Sequence, residues 1–300
     1  MSAVRTLARV VDYAGLFPPA GLDMESAVRN YQDALLGENG WMLGSFVVPA
    51  ARLGVFVEAF ERVCCGEQEQ PWTLSVVCAG EADRRAVEEF QEGAVFLRSV
   101  EAKATDRASA EAAISTPANK FAGDPGSLRG LPESRFCYVE FPPERAPEIL
   151  PLLAAKSGRA KLRTGGLTAD AIPSIETVAG FLRACAAQRV PFKATAGLHH
   201  PVRGLHLLAP EGAARATMHG FLNLFLAAAL AWFGAEETAV RRTLAEEEPR
   251  AFRVDDDVIR WHDHAMTADQ LELVRRDFAI SFGSCSFAEP VDDLTAMGWL

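Results

Sequence analysis

The feature that most constrains this chain is an alternation that runs along its whole length. Short β-rich runs are each followed by a longer run with helical spacing. Parallel strands need a crossover connection, so a repeated strand-then-helix order implies an α/β fold with a parallel sheet. The pattern predicts strands over 9–13, 43–48, 72–78, 94–100, 136–141, 160–163, 191–195 and 278–282. It predicts helices over 24–36, 53–64, 82–91, 109–114, 146–156, 174–188 and 268–275, with 217–247 read as helical and 252–261 as a small hairpin. The Gly/Pro-rich stretch 122–132 reads as a surface loop. Eight strand–helix units in 300 residues describe a (β/α)8 TIM barrel filling 1–300 as one domain. The longest insertion falls between the seventh and eighth strands, and its 236–265 segment reads as a lid or an interface.

The chain carries a formal net charge of −10, with acidic and basic residues mixed. Nucleic-acid binding would need a basic stripe, so that class is excluded. The most apolar run, 221–233, is too short to span a bilayer and contains Asn223, so no membrane association is expected. Six cysteines form no C-x-x-C pair, and the first nine residues lack the apolar core of a signal peptide. The expectation is a cytoplasmic protein with reduced thiols.

In this fold chemistry sits at the C-terminal ends of the strands. Lys161 and Arg163 share a face of the sixth strand, and Lys193 and Thr195 share a face of the seventh. Adjacent strands lie about 4.8 Å apart, so the two lysines can meet inside the barrel mouth. An inward lysine is costly unless it is paired or functional. Two together are expected to lower each other's pKa, giving a free amine that attacks a carbonyl to form a Schiff base. The second lysine then tunes the first or shuttles a proton. The structural alternative is that the lysines point outward or pair with Glu140. The loops Thr164-Gly165-Gly166, Ala196-Gly197-Leu198 and Gly283-Ser284-Cys285-Ser286 follow late strands, where backbone amides and hydroxyls can bind an anion; ordinary tight turns also need such glycines. Asp12 closes the first strand and either faces the site or caps a turn. Cys285 reads as a small buried residue, and the Glu246-Glu247-Glu248 run as a solvated helix end.

Two segments resemble the deoxyribose-phosphate aldolase family. AKLRTGGLTADAIPSIETVAGFLRAC resembles its sixth strand and helix, with Lys161 at the Schiff-base lysine of K-T-S-T-G and Thr164-Gly165 at its T-G. VPFKATAGLHHPVR resembles the next strand, with Lys193 at the family's second lysine, and SFGSCS resembles the last strand of its phosphate cradle. FVVPAARL and CYVEFP are weaker echoes, the latter placing Glu140 near the lysines. Convincing coverage is 159–203 with 278–286. Three positions depart from the family. Its fourth strand carries a proton-transferring aspartate, but AVFLRSVEAK has none, and Glu101 lies further along. Arg163 stands where the family has a small residue, and His199 stands near its phosphate-binding arginine.

The resemblance implies a class I aldolase-type lyase that needs no dissociable cofactor and acts on a small aldehyde or ketone, often phosphorylated in related enzymes. Lys161 would be the nucleophile and Lys193 its electrostatic partner. Glu140, Glu101 or an ordered water would move protons, and Asp12 would be a further catalytic residue. Arg163, Thr164, Gly165, Gly166, Thr195, Gly197, His199, His200, Gly283, Ser284 and Ser286 would hold the substrate. Two alternatives stay open: a metal-dependent hydrolase or isomerase using His199, His200 and Glu140, and a non-enzymatic anion-binding barrel. No compact metal signature occurs in the sequence. The oligomeric state is open, a homo-oligomer included.

Overall fold

A computed structural model describes residues 2–64, 71–90, 94–115, 136–209 and 214–300; the loop read at 122–132 lies outside them. Eight strands close into an all-parallel barrel. Seven come in unbroken chain order: β1 (Val11–Tyr13), β2 (Leu43–Pro49), β3 (Trp72–Cys78), β4 (Val95–Lys103), β5 (Phe136–Glu140), β6 (Arg159–Arg163) and β7 (Phe192–Thr195). The eighth, β13 (Ala279–Ser284), pairs with β7 and closes the ring against β1, with Asp12 opposite Gly283. The chain is therefore a TIM barrel.

The helices form where the spacing predicts, and local side chains fix several starts. Asp23 accepts from the Ser26 amide at 2.9 Å to open α1 (Met24–Leu36). After α2 (Leu53–Val63) and α3 (Glu81–Glu89), Asp106 and Ser109 form a capping box on α4 (Arg107–Ile114). Following α5 (Ala146–Ala155), Ser174 caps α6 (Ile175–Ala187).

The segment between β7 and β13 corrects the sequence reading. Residues 217 and 218 are not helical. They end β9 (Arg215–Met218), which pairs antiparallel with β8 (Gly204–Leu207). This hairpin lacks apolar alternation that faces a core, since Leu205 and Leu207 are exposed. α7 (Phe221–Trp232) and α8 (Glu237–Ala245) follow. α7 is buried over its first ten residues, and Asn223 answers three backbone groups inside it. Its amide donates to the carbonyls of Thr243 (2.7 Å) and Glu246 (2.8 Å), and its oxygen accepts from the Arg203 amide (2.8 Å). Among the described residues no helix is long and apolar enough to cross a membrane.

The predicted hairpin is present as β10 (Phe252–Val254) and β11 (Val258–Trp261), and β12 (His264–Thr267) adds a third antiparallel strand. His262 and Asp263 turn the corner between β11 and β12. Glu246 is a tie rather than a solvated helix end: it accepts from the Trp261 indole at 3.2 Å and lies 2.7 Å from His262. Thr267 and Gln270 form a capping box that opens α9 (Ala268–Asp277). A last helix, α10 (Ala288–Ala296), follows β13. The Ala3 amide bonds the Asp256 carbonyl at 2.8 Å, which ties the three-stranded sheet to the segment leading into β1.

Candidate active site

Parallel pairing makes Lys161 and Lys193 register partners, and Glu140 is the partner of Lys161 on its other side. β4 runs three residues beyond the predicted end, because Glu101, Ala102 and Lys103 all pair with β3 or β5 despite their weak apolar signal. Alternation then turns Ser99 and Glu101 into the barrel. Glu101, expected beyond the strand, is a buried strand residue at the centre of the site.

Six charged groups form one web. The Lys161 Nζ lies 2.7 Å from Glu101 Oε2 and 2.9 Å from Glu140 Oε2. Lys193 Nζ lies 2.6 Å from Glu101 Oε1 and 2.7 Å from Asp12 Oδ2. Arg163 Nε bonds Glu140 Oε1 at 2.9 Å. Three carboxylates thus face three cations, and Glu101 bridges both lysines. Hydroxyls fill the remaining acceptor sites: Ser75 donates to Glu101 at 2.5 Å and Ser281 to Asp12 at 2.7 Å. The Ser45 amide holds the other Asp12 oxygen at 2.8 Å, so Asp12 is fixed as a partner of Lys193 rather than as a turn cap. Lys161 is the one ion-pair partner of Glu140 Oε2 among the described residues.

The electrostatics correct one expectation. Burial by itself would lower the Lys193 pKa, but Asp12 and Glu101 outweigh it and raise the pKa above the ordinary lysine value. The lysines do not face each other bare, because Glu101 sits between them. Burial would also raise Glu101, and Lys161 and Lys193 overcome it and hold the carboxyl well below the usual range. Glu140 is lowered too, with burial outweighed by Lys161 and Arg163.

A cavity of about 380 Å³ opens over this web. Of the residues expected at the site, Lys161, Lys193, Glu101, Glu140, Arg163, Gly166, Thr195, Gly197, His199 and Gly283 line it. The Lys161 side chain is 8% exposed and that of Lys193 2%. Arg163 stands at the rim, 45% exposed, and does not fill the pocket. Asp12 lies beneath the cavity. Thr164 is engaged with the chain, its hydroxyl bonding the Ala196 carbonyl at 2.6 Å. Gly165 is set by close approach: a Cβ there would meet the Gly197 Cα at 2.9 Å. His200, Ser284 and Ser286 do not line the cavity. His200 pairs with Asp293 on α10 at 2.7 Å. Ser284 lies 3.3 Å from His199, and Ser286 accepts from the Glu289 amide at 3.2 Å.

Sequence reasoning missed Lys103, Phe17, Leu208 and Met218 in the wall, together with Ser75 and Ser281 beneath it. The inward period Ser99, Glu101, Lys103 could have found Lys103. No residue of 236–265 reaches this cavity, and the covering element is instead the β8–β9 hairpin, with Leu208 and Met218 at its ends. Cys285 lines the cavity, and burial pushes its thiol up, away from thiolate chemistry. Among the described residues no three His, Cys, Asp or Glu side chains gather in a metal-holding group, so His199, His200 and Glu140 do not converge. A larger groove of about 910 Å³ lies beside Arg250, Arg253 and Trp299, but it contains none of the six groups of the web.

Comparison of the chain with protein-family models, curated proteins and solved structures finds no match in any of the three.

Proposed function

We propose that this chain is a carbon–carbon lyase of the class I aldolase type, forming a Schiff base between Lys161 and a small aldehyde or ketone. One observation carries the reading: the Lys161 amine borders a cavity between two carboxylates, Glu101 and Glu140, and a second lysine shares Glu101. A purely structural ion pair has no need of a cavity or of a second cation on the same carboxylate. Lys161 is the better placed nucleophile because it is the more exposed of the two. Lys193 is held as a cation by Asp12 and Glu101 and so serves as a fixed positive charge.

In this mechanism Lys161 first gives a proton to Glu140, whose Oε2 lies 2.9 Å from its amine. The free amine adds to the carbonyl carbon, and the carbinolamine loses water to give an iminium ion. Glu101 takes the proton of a β-hydroxyl, the carbon–carbon bond breaks, and its electron pair moves to the iminium nitrogen. One aldehyde leaves and an enamine remains. A proton returned to the enamine carbon and addition of water release the second product and restore the amine. Glu101 suits the proton-transfer role that an aspartate holds on the fourth strand of the deoxyribose-phosphate aldolases: it lines the cavity beside Lys161, and its lysine partners keep it ionised.

The test is exchange of the α-protons of acetaldehyde or acetone in deuterated water, followed by NMR. Iminium formation acidifies those protons, so the native protein is expected to exchange them and Lys161→Met to lose at least 100-fold in rate, about 2.7 kcal/mol of barrier. No exchange above the solvent rate with any small carbonyl would contradict the proposal.

A further inference from the structure

We infer that the substrate of this site carries a carboxylate, read by Arg163 with Lys103 at the cavity rim, in place of a phosphate held by the late-strand loops. The inference rests on the Schiff-base reading and names the class of carbonyl compound that it would act on.

The first observation is that an acid of the chain itself stands beside the late-strand loops, in a pocket that adjoins the cavity through His199 and Cys285. Glu289 lies in the first turn of α10, where a phosphate would otherwise profit from free amides and the helix dipole. Its carboxylate lies 2.9 Å from His199 Nδ1, and His199 holds its pKa below the usual range, so it stays an anion. Its own amide is engaged with Ser286, and the Ser286 amide with the Ser284 hydroxyl at 3.3 Å. The Glu289 and Ser286 amides thus already have partners, and a second anion at this helix start would meet the Glu289 charge. The Thr164 hydroxyl is turned onto the Ala196 carbonyl.

The second observation is that positive charge lies on the opposite wall. Arg163 uses Nε on Glu140, and among the described residues its two Nη groups have no hydrogen bond or ion pair. Those two form the end-on fork that matches a carboxylate. Lys103 lines the same cavity, and among the described residues it forms no ion pair. Lys103 and Glu140 are register partners, and Arg163 bonds Glu140, so the two cations flank one carboxylate at one side of the mouth. Arg163 follows Lys161 by two residues on one strand face, about 6.6 Å along the chain. A carbonyl compound seated on Lys161 can therefore place a carboxylate a few bonds away against the guanidinium. The cluster beneath is balanced, three acids against three bases, so Lys103 gives the cavity one positive charge more than the web supplies. That suits a monoanion.

The experiment separates this inference from the Schiff-base reading on which it rests. Propanoate, which has no carbonyl, and inorganic phosphate are titrated calorimetrically into the native protein, Arg163→Gln and Lys103→Met. Propanoate is expected to bind the native protein at least tenfold more tightly than phosphate and to lose at least tenfold in Arg163→Gln. In parallel, borohydride trapping on Lys161 is compared for succinic semialdehyde against butanal. The carboxylated member is expected to be favoured, and its ratio to butanal to fall at least tenfold in Arg163→Gln. Phosphate binding more tightly than propanoate, or a trapping ratio unchanged by Arg163→Gln, overturns the carboxylate assignment while leaving Schiff-base chemistry intact. Failure to trap either aldehyde, with propanoate binding still lost in Arg163→Gln, upholds the anion site and removes the lysine chemistry.

Discussion

At the scale of the residue, the site depends on how two lysines share one carboxylate. Glu101 holds Lys161 on one oxygen and Lys193 on the other, so one carboxylate is shared by both lysines. Replacing Lys193 with methionine leaves Asp12 and Glu101 buried against each other's charge, which is expected to destabilise the fold by about 3–5 kcal/mol in urea unfolding at neutral pH. Lys193→Arg should recover part of that stability and little of the exchange rate, since a guanidinium restores charge but not the compact geometry. The lysines themselves were legible in the sequence because period-two alternation and neighbouring strands force them together. Their ionisation was not, because it is set by Glu101, which comes from 60 residues earlier (161 − 101) on a strand end with no apolar signal. Asp12 was legible as a strand-end acid, but its partner lay across the barrel closure.

At the scale of the element, the barrel strands and their helices follow from apolar periodicity and from caps such as Asp23, Ser174 and Thr267. The β8–β9 hairpin was not legible because it covers a cavity mouth and has no core-facing stripe. Within α7, Asn223 answers three backbone groups at the end of α8 and in the loop after β7. Asn223→Leu fits the apolar surroundings but strands those groups, and an expected loss of about 2–4 kcal/mol would appear in thermal or urea unfolding. Leu is nearly isosteric, so an unchanged midpoint would show that the network adds no stability. The β6 and β7 loops touch through Gly165 and Gly197, and Gly197 has φ +75°. Gly197→Ala meets both strain and the Gly165 Cα, so about 1–2 kcal/mol of stability should go, together with much of the exchange rate.

At the scale of the whole molecule, the web joins the first strand of the barrel to the seventh. Asp12 and Glu101 come from the first four strands, and Glu140, Lys161, Arg163 and Lys193 from the next three. Its pH dependence follows from the signs of the shifts. Glu101 and Glu140 are lowered, so their contribution is complete above the ordinary carboxylate range and is lost as pH falls through their depressed values. Lys193 is raised, so its contribution is complete below the ordinary lysine value and is lost as pH climbs through the raised one. The web should therefore contribute a constant amount from pH 6 to 9. A native-minus-Lys193→Met difference in unfolding free energy that varies by more than about 1 kcal/mol across that window would contradict this balance.

The central claim is that Lys161 is the nucleophile. Its most direct measurement is borohydride reduction of the native protein with a small aldehyde, followed by peptide mass mapping. The account predicts one adduct, on the peptide carrying Lys161, absent from Lys161→Met and present in Lys193→Arg. An adduct on Lys193 alone, or none with any carbonyl tried, would contradict it.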